Sequence, residues 1–379
     1  MFRTAIALSI IILAVACSAP QPQATVQIQP APVKIGALLG LSGDIAASYG
    51  QAQKKGVELA VNEVNDSNYL GSGKRLTLVI ADAGPAPDTA VAGMTSLIEV
   101  DNVSAIIGPT LSSQAFKADP VAQIHRVPVI AVSNTVPGIT QMGDYIFRFS
   151  LPESSVIEGT IKAAASQLRV VKIGYLWGKD DDYTIAGYRA FKDAVSKNGL
   201  KILADETFSR GDTDFKPQLE RIIARGPDAI LVSALAQEAA AIIIQARSLG
   251  YTGIIIGGNG FNSMDVVKKA GSDAEGVMAG TAWNISSINP RNLEFISAYQ
   301  KAYGIKPDQF AAQAYTGTWL MANAIRTAGS GDAKAIRDSL AGISNFTTPM
   351  GSFSFTTERE PVHPAVVQIV KNGRFTIFK

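Results

Sequence analysis

The chain has 379 residues, with 34 Lys and Arg against 32 Asp and Glu, and is 47% hydrophobic and 17% charged. That length is more than one hydrophobic core usually serves, so two domains are expected, and the composition excludes an intrinsically disordered chain. A formal charge of +2, without a basic patch interleaved with aromatics, argues against a nucleic-acid partner.

Residues 1–16 read as a signal peptide. Arg3 supplies a positive start, and residues 6–15 form an apolar run too short to remain as a membrane span. Ala14-Val15-Ala16 then precede Cys17, the only cysteine of the chain. This resembles the lipobox of bacterial lipoproteins, with Ala14 where leucine is commonest. The resemblance implies cleavage before Cys17 and diacylglycerol on its sulfur; an ordinary secretory signal that contains a cysteine is the alternative. Two or more acyl chains make a stable anchor where one does not. Residues 17–32, rich in Pro, Gln, Ala and Ser, read as a lipidated tether.

The folded part opens with a buried-type strand over 33–39, then a loop over 40–50. A helix follows, with Val57, Ala60, Val61 and Val64 on one face. A strand over 76–80, a helix over 90–100, a strand at Ile106, a helix, a strand at Val129 and a strand over 145–149 complete the first series. Strands alternating with helices of this length imply parallel βαβ units. The pattern then restarts. Val33-Lys34-Ile35-Gly36-Ala37-Leu38-Leu39-Gly40 opens the first half and Val171-Lys172-Ile173-Gly174-Tyr175-Leu176-Trp177-Gly178 the second, identical at six of eight positions. Helices over 185–196, 215–224 and 238–249 alternate with strands over 202–207, 229–232 and 254–256. Two similar α/β lobes are expected. Helices over 292–303 and 311–327 return the chain to the first lobe, and strands over 352–355 and 365–370 are assigned to the second.

Two turns stand out. Ile106-Ile107-Gly108-Pro109-Thr110-Leu111-Ser112-Ser113 and Pro128-Val129-Ile130-Ala131-Val132-Ser133-Asn134-Thr135 each end a short apolar strand in hydroxyls. Ligands of open parallel sheets bind outside such strand ends, where the winding reverses. Ser112 or Ser113 can cap the following helix, whose free N–H groups attract anions. Ser133, Asn134 and Thr135 then stand beside them, and together they suit a small polar group such as a carboxylate. Plain helix capping and a plain strand end are the alternatives.

Catalytic patterns are missing. Gly71-Ser72-Gly73-Lys74-Arg75 lacks the spacing of a phosphate loop, and Gly257-Gly258-Asn259-Gly260 lacks the dinucleotide spacing. His125 and His363, the only histidines, join no metal cluster or triad. Asp180-Asp181-Asp182 lacks the closing Glu of a calcium loop. No enzyme activity, metal or cofactor is expected.

The chain resembles the substrate-binding lipoproteins of ABC importers of the branched-chain amino acid class, the type I periplasmic binding proteins. The likeness spans nearly all of 33–379. It rests on Ile35-Gly36 with Leu38, Ser42-Gly43, Tyr49-Gly50, Ile107-Gly108-Pro109 with Ser112-Ser113, and the run from Pro128 to Thr135. Later marks are Asp182-Tyr183, Gln245-Ala246-Arg247, Ala314-Tyr315, and Met350-Gly351 with Phe353. The resemblance implies two Rossmann-like lobes joined by three hinge crossings, near Ser150, Ala282 and Pro349. Lobe 1 would comprise 33–150 plus 284–348, and lobe 2 would comprise 151–283 plus 349–379. It further implies that Ser112 meets a ligand carboxylate through hydroxyl and N–H, that Ser133 offers its carbonyl to an ammonium, and that Thr135 gives N–H and hydroxyl. Tyr183 would close over the ligand and Tyr49 would line the side-chain pocket.

Two positions depart from that pattern. Leu235 stands where the family has a second tyrosine, and Asn259 stands where a glutamate pairs with the ligand ammonium. Either Asp181, Asp182 or Glu238 supplies the charge, or the ligand is not an α-amino acid; on this reading Asn259→Glu improves amino-acid binding. The function implied is an exported, membrane-anchored monomeric receptor that captures a small amino acid or related carboxylate or amide for an ABC permease. A ligand-sensing receptor domain of the same fold is the alternative.

Overall fold

The computed structural model describes Met1 and residues 31–379. The expected lipidation site Cys17 lies outside the described residues.

The first lobe is laid down as β1 (Val33–Leu39), α1 (Asp44–Asp66), β2 (Leu76–Asp82), α2 (Pro87–Thr95), β3 (Ala105–Ile107), α3 (Ser112–His125), β4 (Val129–Ala131) and β5 (Ile146–Arg148). Its sheet is parallel, in the order β2-β1-β3-β4-β5. The second lobe follows as α4 (Glu153–Gln167), β6 (Lys172–Gly178), α5 (Asp182–Lys197), β7 (Lys201–Phe208), α6 (Lys216–Ile223), β8 (Ala229–Ser233), α7 (Ala236–Ser248), β9 (Ile254–Gly257), α8 (Met264–Ala270) and β10 (Met278–Thr281). Helices α9 (Pro290–Tyr303), α10 (Gln309–Ala328) and α11 (Ala333–Ala341) come next. The strands β11 (Phe346–Thr348), β12 (Gly351–Phe355), β13 (Pro361–Val362), β14 (Val366–Lys371) and β15 (Arg374–Ile377) end the chain.

The second sheet runs β15-β14-β10-β9-β8-β6-β7. The repeated octapeptides are β1 and β6. Each sits where the winding reverses, with β2 and β3 flanking β1 and β7 and β8 flanking β6. Parallel strands are buried on both faces, which is why β3, β4 and β8 read as unbroken apolar runs. α10 returns to the first lobe: Ala311, Ala314, Leu320 and Ile325 are buried in one core with Ile35, Val57 and Val64. β14 and β15 join the second sheet antiparallel.

The third crossing is not at Pro349. β11, β12 and β13 form a small antiparallel sheet on the first lobe, and the chain crosses between Val362 and Val366. The reason is aromatic burial. Phe353 and Phe355 alternate inward on β12 and pack against Phe149 (ring centroids 5.0 Å) and Phe147 (5.2 Å) beside β5. Arg148 adds a salt bridge to Glu360. Residues 349–362 therefore belong with lobe 1, a correction to the expected boundary.

Candidate functional site

The site is built where β1, β3 and β4 end. One clasp holds their loops together. Gln53 of α1 accepts the Thr110 hydroxyl at Oε1 (2.6 Å) and donates from Nε2 to Ser133 Oγ (2.7 Å). Ser133 Oγ donates to the Thr110 carbonyl (2.6 Å), and Thr110 Oγ1 accepts the Gly40 N–H (2.9 Å). The Ser133 hydroxyl is thus consumed in fixing the loops, and only its main chain is left for a ligand. Neither Gln53 nor the role of Thr110 stands out in the sequence.

Ser112 is the first residue of α3 and lines the interlobe cavity. It is not the cap: Leu111 holds that position, and the Leu111 N–H is satisfied by Gln114 Oε1 (3.0 Å). A capping role for Ser112 or Ser113 is corrected accordingly, because Gln114 folds back one turn and does that work. The Ser113 hydroxyl, both side-chain polar atoms of Asn134 and the Thr135 hydroxyl are buried and find no hydrogen-bond partner among the described residues.

The opposing lobe contributes Tyr183, Leu235 and Asn259 to the same cavity. Asp181 caps α5, accepting the N–H groups of Tyr183 (3.0 Å) and Thr184 (3.3 Å). This brings Tyr183 to the front. Its hydroxyl accepts the Gly260 N–H (2.6 Å) and donates to Glu153 Oε1 (3.3 Å). Tyr49 reaches across from α1: its hydroxyl accepts the Ala236 N–H (2.5 Å) and donates to the Gly260 carbonyl (3.1 Å). Tyr49 is therefore an interlobe latch as well as a wall. Phe310 lies against its ring, with centroids 4.5 Å apart.

Behind two residues of the cavity wall, Tyr183 and Asn259, stands the buried carboxylate of Glu153, which no motif in the sequence marks. It opens α4 just after the first crossing and is 1% exposed. Its N–H donates to the Thr135 carbonyl (3.0 Å), tying it to the first-lobe turn. Oε1 accepts the Asn259 N–H (2.7 Å), while Oε2 is buried without a partner among the described residues. Burial pushes its carboxyl up to about 7, against the pull of the Asn259 N–H and of the nearby Thr135 and Tyr183 hydroxyls. Gly258 and Gly260 allow this crowding. A Cβ at 258 would meet Glu153 Oε1 at 2.2 Å, and one at 260 would meet the Ala234 carbonyl at 2.4 Å.

The three carboxylates expected to replace a glutamate at 259 are otherwise placed. Asp181 lines the cavity, but its carboxylate is engaged by its helix cap and by Arg210 (3.6 Å). Glu238 accepts the N–H groups of Gly211 and Leu235, both at 3.1 Å. Asp182 is exposed.

The lobes close on a cavity of about 20 Å³, room for about one water. A ligand enters only when they part. A larger cavity of about 580 Å³, walled in part by Asn262, Gln309 and Gln368, shares no lining residue with the smaller one. Among the described residues, no group of three or more His, Cys, Asp or Glu side chains is placed to hold a metal ion.

Comparison with known proteins agrees with this architecture. A family model described as periplasmic binding protein matches residues 32–374. A leucine-, isoleucine-, valine-, threonine- and alanine-binding protein of Pseudomonas aeruginosa is 25% identical over 345 residues, 90% of this chain and 88% of that one. The branched-chain amino acid transporter substrate-binding protein LivJ of Streptococcus pneumoniae, solved with isoleucine, is 30% identical with a TM-score of 0.86 over 92% of this chain and all of that one. The leucine-binding protein LivK of Thermotoga maritima is 26% identical, also with a TM-score of 0.86, over 92% of this chain and 98% of that one. Two parallel α/β lobes around a strand-end cleft, together with a family match from residue 32 to residue 374, identify the fold as that of the type I binding proteins. The chain belongs to the periplasmic binding protein family.

Proposed function

We propose that this protein is an extracytoplasmic receptor that captures a small amino acid, or a related carboxylate or amide, between its lobes. It delivers that ligand to an ABC permease and is held at the membrane by lipid on Cys17. The observation that carries the reading is a set of buried polar groups behind the cavity wall: the Asn134 amide, which has no partner among the described residues, and Glu153 Oε2, with the Thr135 hydroxyl beside the same carboxyl. Buried polar groups without partners are costly in a closed protein, and a bound solute that pairs them recovers that cost.

In this reading Ser112 and Thr135 take the carboxylate at the start of α3 and the neighbouring turn. Glu153 takes the ammonium, because a buried cation needs an anion beside it. Tyr183 and Tyr49 close the cleft from either side. The relatives, one a leucine-, isoleucine-, valine-, threonine- and alanine-binding protein and one solved with isoleucine, support the ligand class.

Native mass spectrometry of the protein as purified, followed by calorimetry with the standard amino acids, tests the reading. An amino acid that co-purifies or binds in the micromolar range supports it. No binding by any amino acid or deaminated analogue overturns it.

A further inference from the structure

The floor of the cleft is oriented from behind. Asn259 lines the cavity, and its side chain is backed by buried amides. Gln309, the first residue of α10, accepts the Ala282 N–H at Oε1 (2.9 Å) and donates from Nε2 to Asn259 Oδ1 (2.7 Å). A main-chain N–H only donates, so the Gln309 amide has one orientation. Its Nε2 also only donates, and so it takes the oxygen of Asn259.

A second branch reaches the same atom. Ser286 N–H donates to Asn284 Oδ1 (2.8 Å), and Asn284 Nδ2 donates to Gln368 Oε1 (2.8 Å). Gln368 Nε2 donates to Asn262 Oδ1 (2.7 Å). Asn262 Nδ2 then donates one hydrogen to the Gly280 carbonyl (2.8 Å) and shares the other between Asn259 Oδ1 and Gln309 Oε1, both at 3.3 Å. Every link runs in the same sense, and main-chain groups fix both ends. Asn259, Asn262, Asn284, Gln309 and Gln368 are all 6% exposed or less. With Oδ1 taken by Gln309 and approached by Asn262, Asn259 has its Nδ2 left for the cleft.

We propose that Gln309 is a positioning residue that turns the Asn259 amide so that the cleft floor donates hydrogen bonds. The preferred ligand accordingly presents an oxygen acceptor to that floor. The ligand class rests on the receptor reading above; the orientation does not. Gln309 belongs to a helix of the first lobe and Asn259 to the second, so closure itself imposes the orientation. An asparagine free to turn would serve donor and acceptor ligands alike. One held by Gln309 discriminates, because a methyl or amine opposite a buried N–H leaves it unpaired.

Neutron crystallography of the deuterium-exchanged protein reads the orientation without a ligand. Two deuterons on the cleft side of Asn259 are expected; deuterons directed at Gln309 overturn the proposal. Calorimetry then compares methionine with its sulfoxide, and leucine with the isostere in which the branched carbon becomes a methyl ketone. In each pair one member gains a neutral acceptor oxygen. In the wild type at least one oxygen-bearing member binds about tenfold tighter than its partner. In Gln309→Met that ratio collapses, whereas a merely structural role for Gln309 weakens both members alike. A wild type without any such preference, or a preference that survives Gln309→Met, overturns the proposal. If none of the four binds while another amino acid does, the ligand class fails and the receptor reading stands, and the neutron density still decides the role of Gln309.

Discussion

The most informative perturbation is Glu153→Gln, which keeps the shape and the Asn259 N–H contact and removes the charge. Oε2 is the unpaired oxygen that an ammonium would meet. Removing one partner of a buried ion pair typically costs about 3–5 kcal/mol, or roughly two to four powers of ten in affinity. The pH dependence supplies an independent magnitude. The carboxyl is raised from 4.5 to about 7 by burial, so below that point an ammonium ligand must first displace a proton. Wild-type affinity should rise about tenfold per pH unit up to about 7 and then level off, and the slope should vanish in Glu153→Gln. Stability moves the opposite way. A carboxyl whose folded value is raised contributes stability that is fully present below 4.5 and lost as pH rises to about 7; the span corresponds to about 3 kcal/mol at most. Urea titrations at several pH values should show this slope in the wild type and not in the variant. Calorimetry with the bound amino acid across the same range gives the first readout. A flat wild-type affinity, with Glu153→Gln inside about a factor of two, would refute the assignment of the ammonium to Glu153.

Three further outcomes follow from the same geometry. Ser112→Ala and Thr135→Ala remove hydroxyls from the first-lobe half-site, and each should weaken a carboxylate ligand by about 1.5–3 kcal/mol in calorimetry; unaltered binding by both would move the site. Tyr49→Phe leaves the Ala236 N–H and Gly260 carbonyl without their interlobe partner, so small-angle scattering of the ligand-free variant should give a larger radius of gyration than the wild type. An identical profile would show that Tyr49 is no latch. Cys17→Ser should move the protein from the membrane to the soluble fraction on cell fractionation, and a variant as membrane-bound as the wild type would exclude the lipid anchor.

Much of the frame is legible in the sequence because it is local and periodic. The octapeptides that form β1 and β6, and the hydroxyl turns after β3 and β4, are contiguous stretches whose spacing carries the information. What stays hidden is made of single residues brought together over long separations. Glu153 meets the Asn259 main chain from 106 residues away, and Gln53 meets Ser133 from 80. No periodicity marks them, and the helix α4 that carries Glu153 is absent from the elements expected above. Two signals were available. Pro152-Glu153 has the proline and acidic first turn of a helix start, and Gly258 and Gly260 flank Asn259 where bare backbone marks a close approach by other groups. The misplaced third crossing has a similar cause: in the sequence Phe353 reads as part of a family motif, but its burial against Phe149 decides which lobe receives β12.

Position 259 is where the folded chain argues against an expectation drawn from the family. Seen in the sequence alone, Asn259→Glu restores a missing counter-charge and improves amino-acid binding. In the folded chain the main-chain N–H of that residue already holds Glu153 Oε1 at 2.7 Å, and its side chain follows Gln309. A second carboxylate there faces the first in a closed cleft. Two unit charges about 5 Å apart at an effective dielectric of about 20 repel by about 3 kcal/mol, so the pair holds one proton near neutral pH and gains no net negative charge. Asn259→Glu alone should therefore leave leucine binding unchanged or weaker at pH 7, and should lower stability as the pH rises. The double variant Asn259→Glu with Glu153→Gln should recover binding that Glu153→Gln loses, because one carboxylate is again present without a rival. Calorimetry on the four members of that cycle separates the two accounts: if Asn259→Glu tightens leucine equally in the wild-type and the Glu153→Gln backgrounds, the two sites are independent and the counter-charge belongs to position 259.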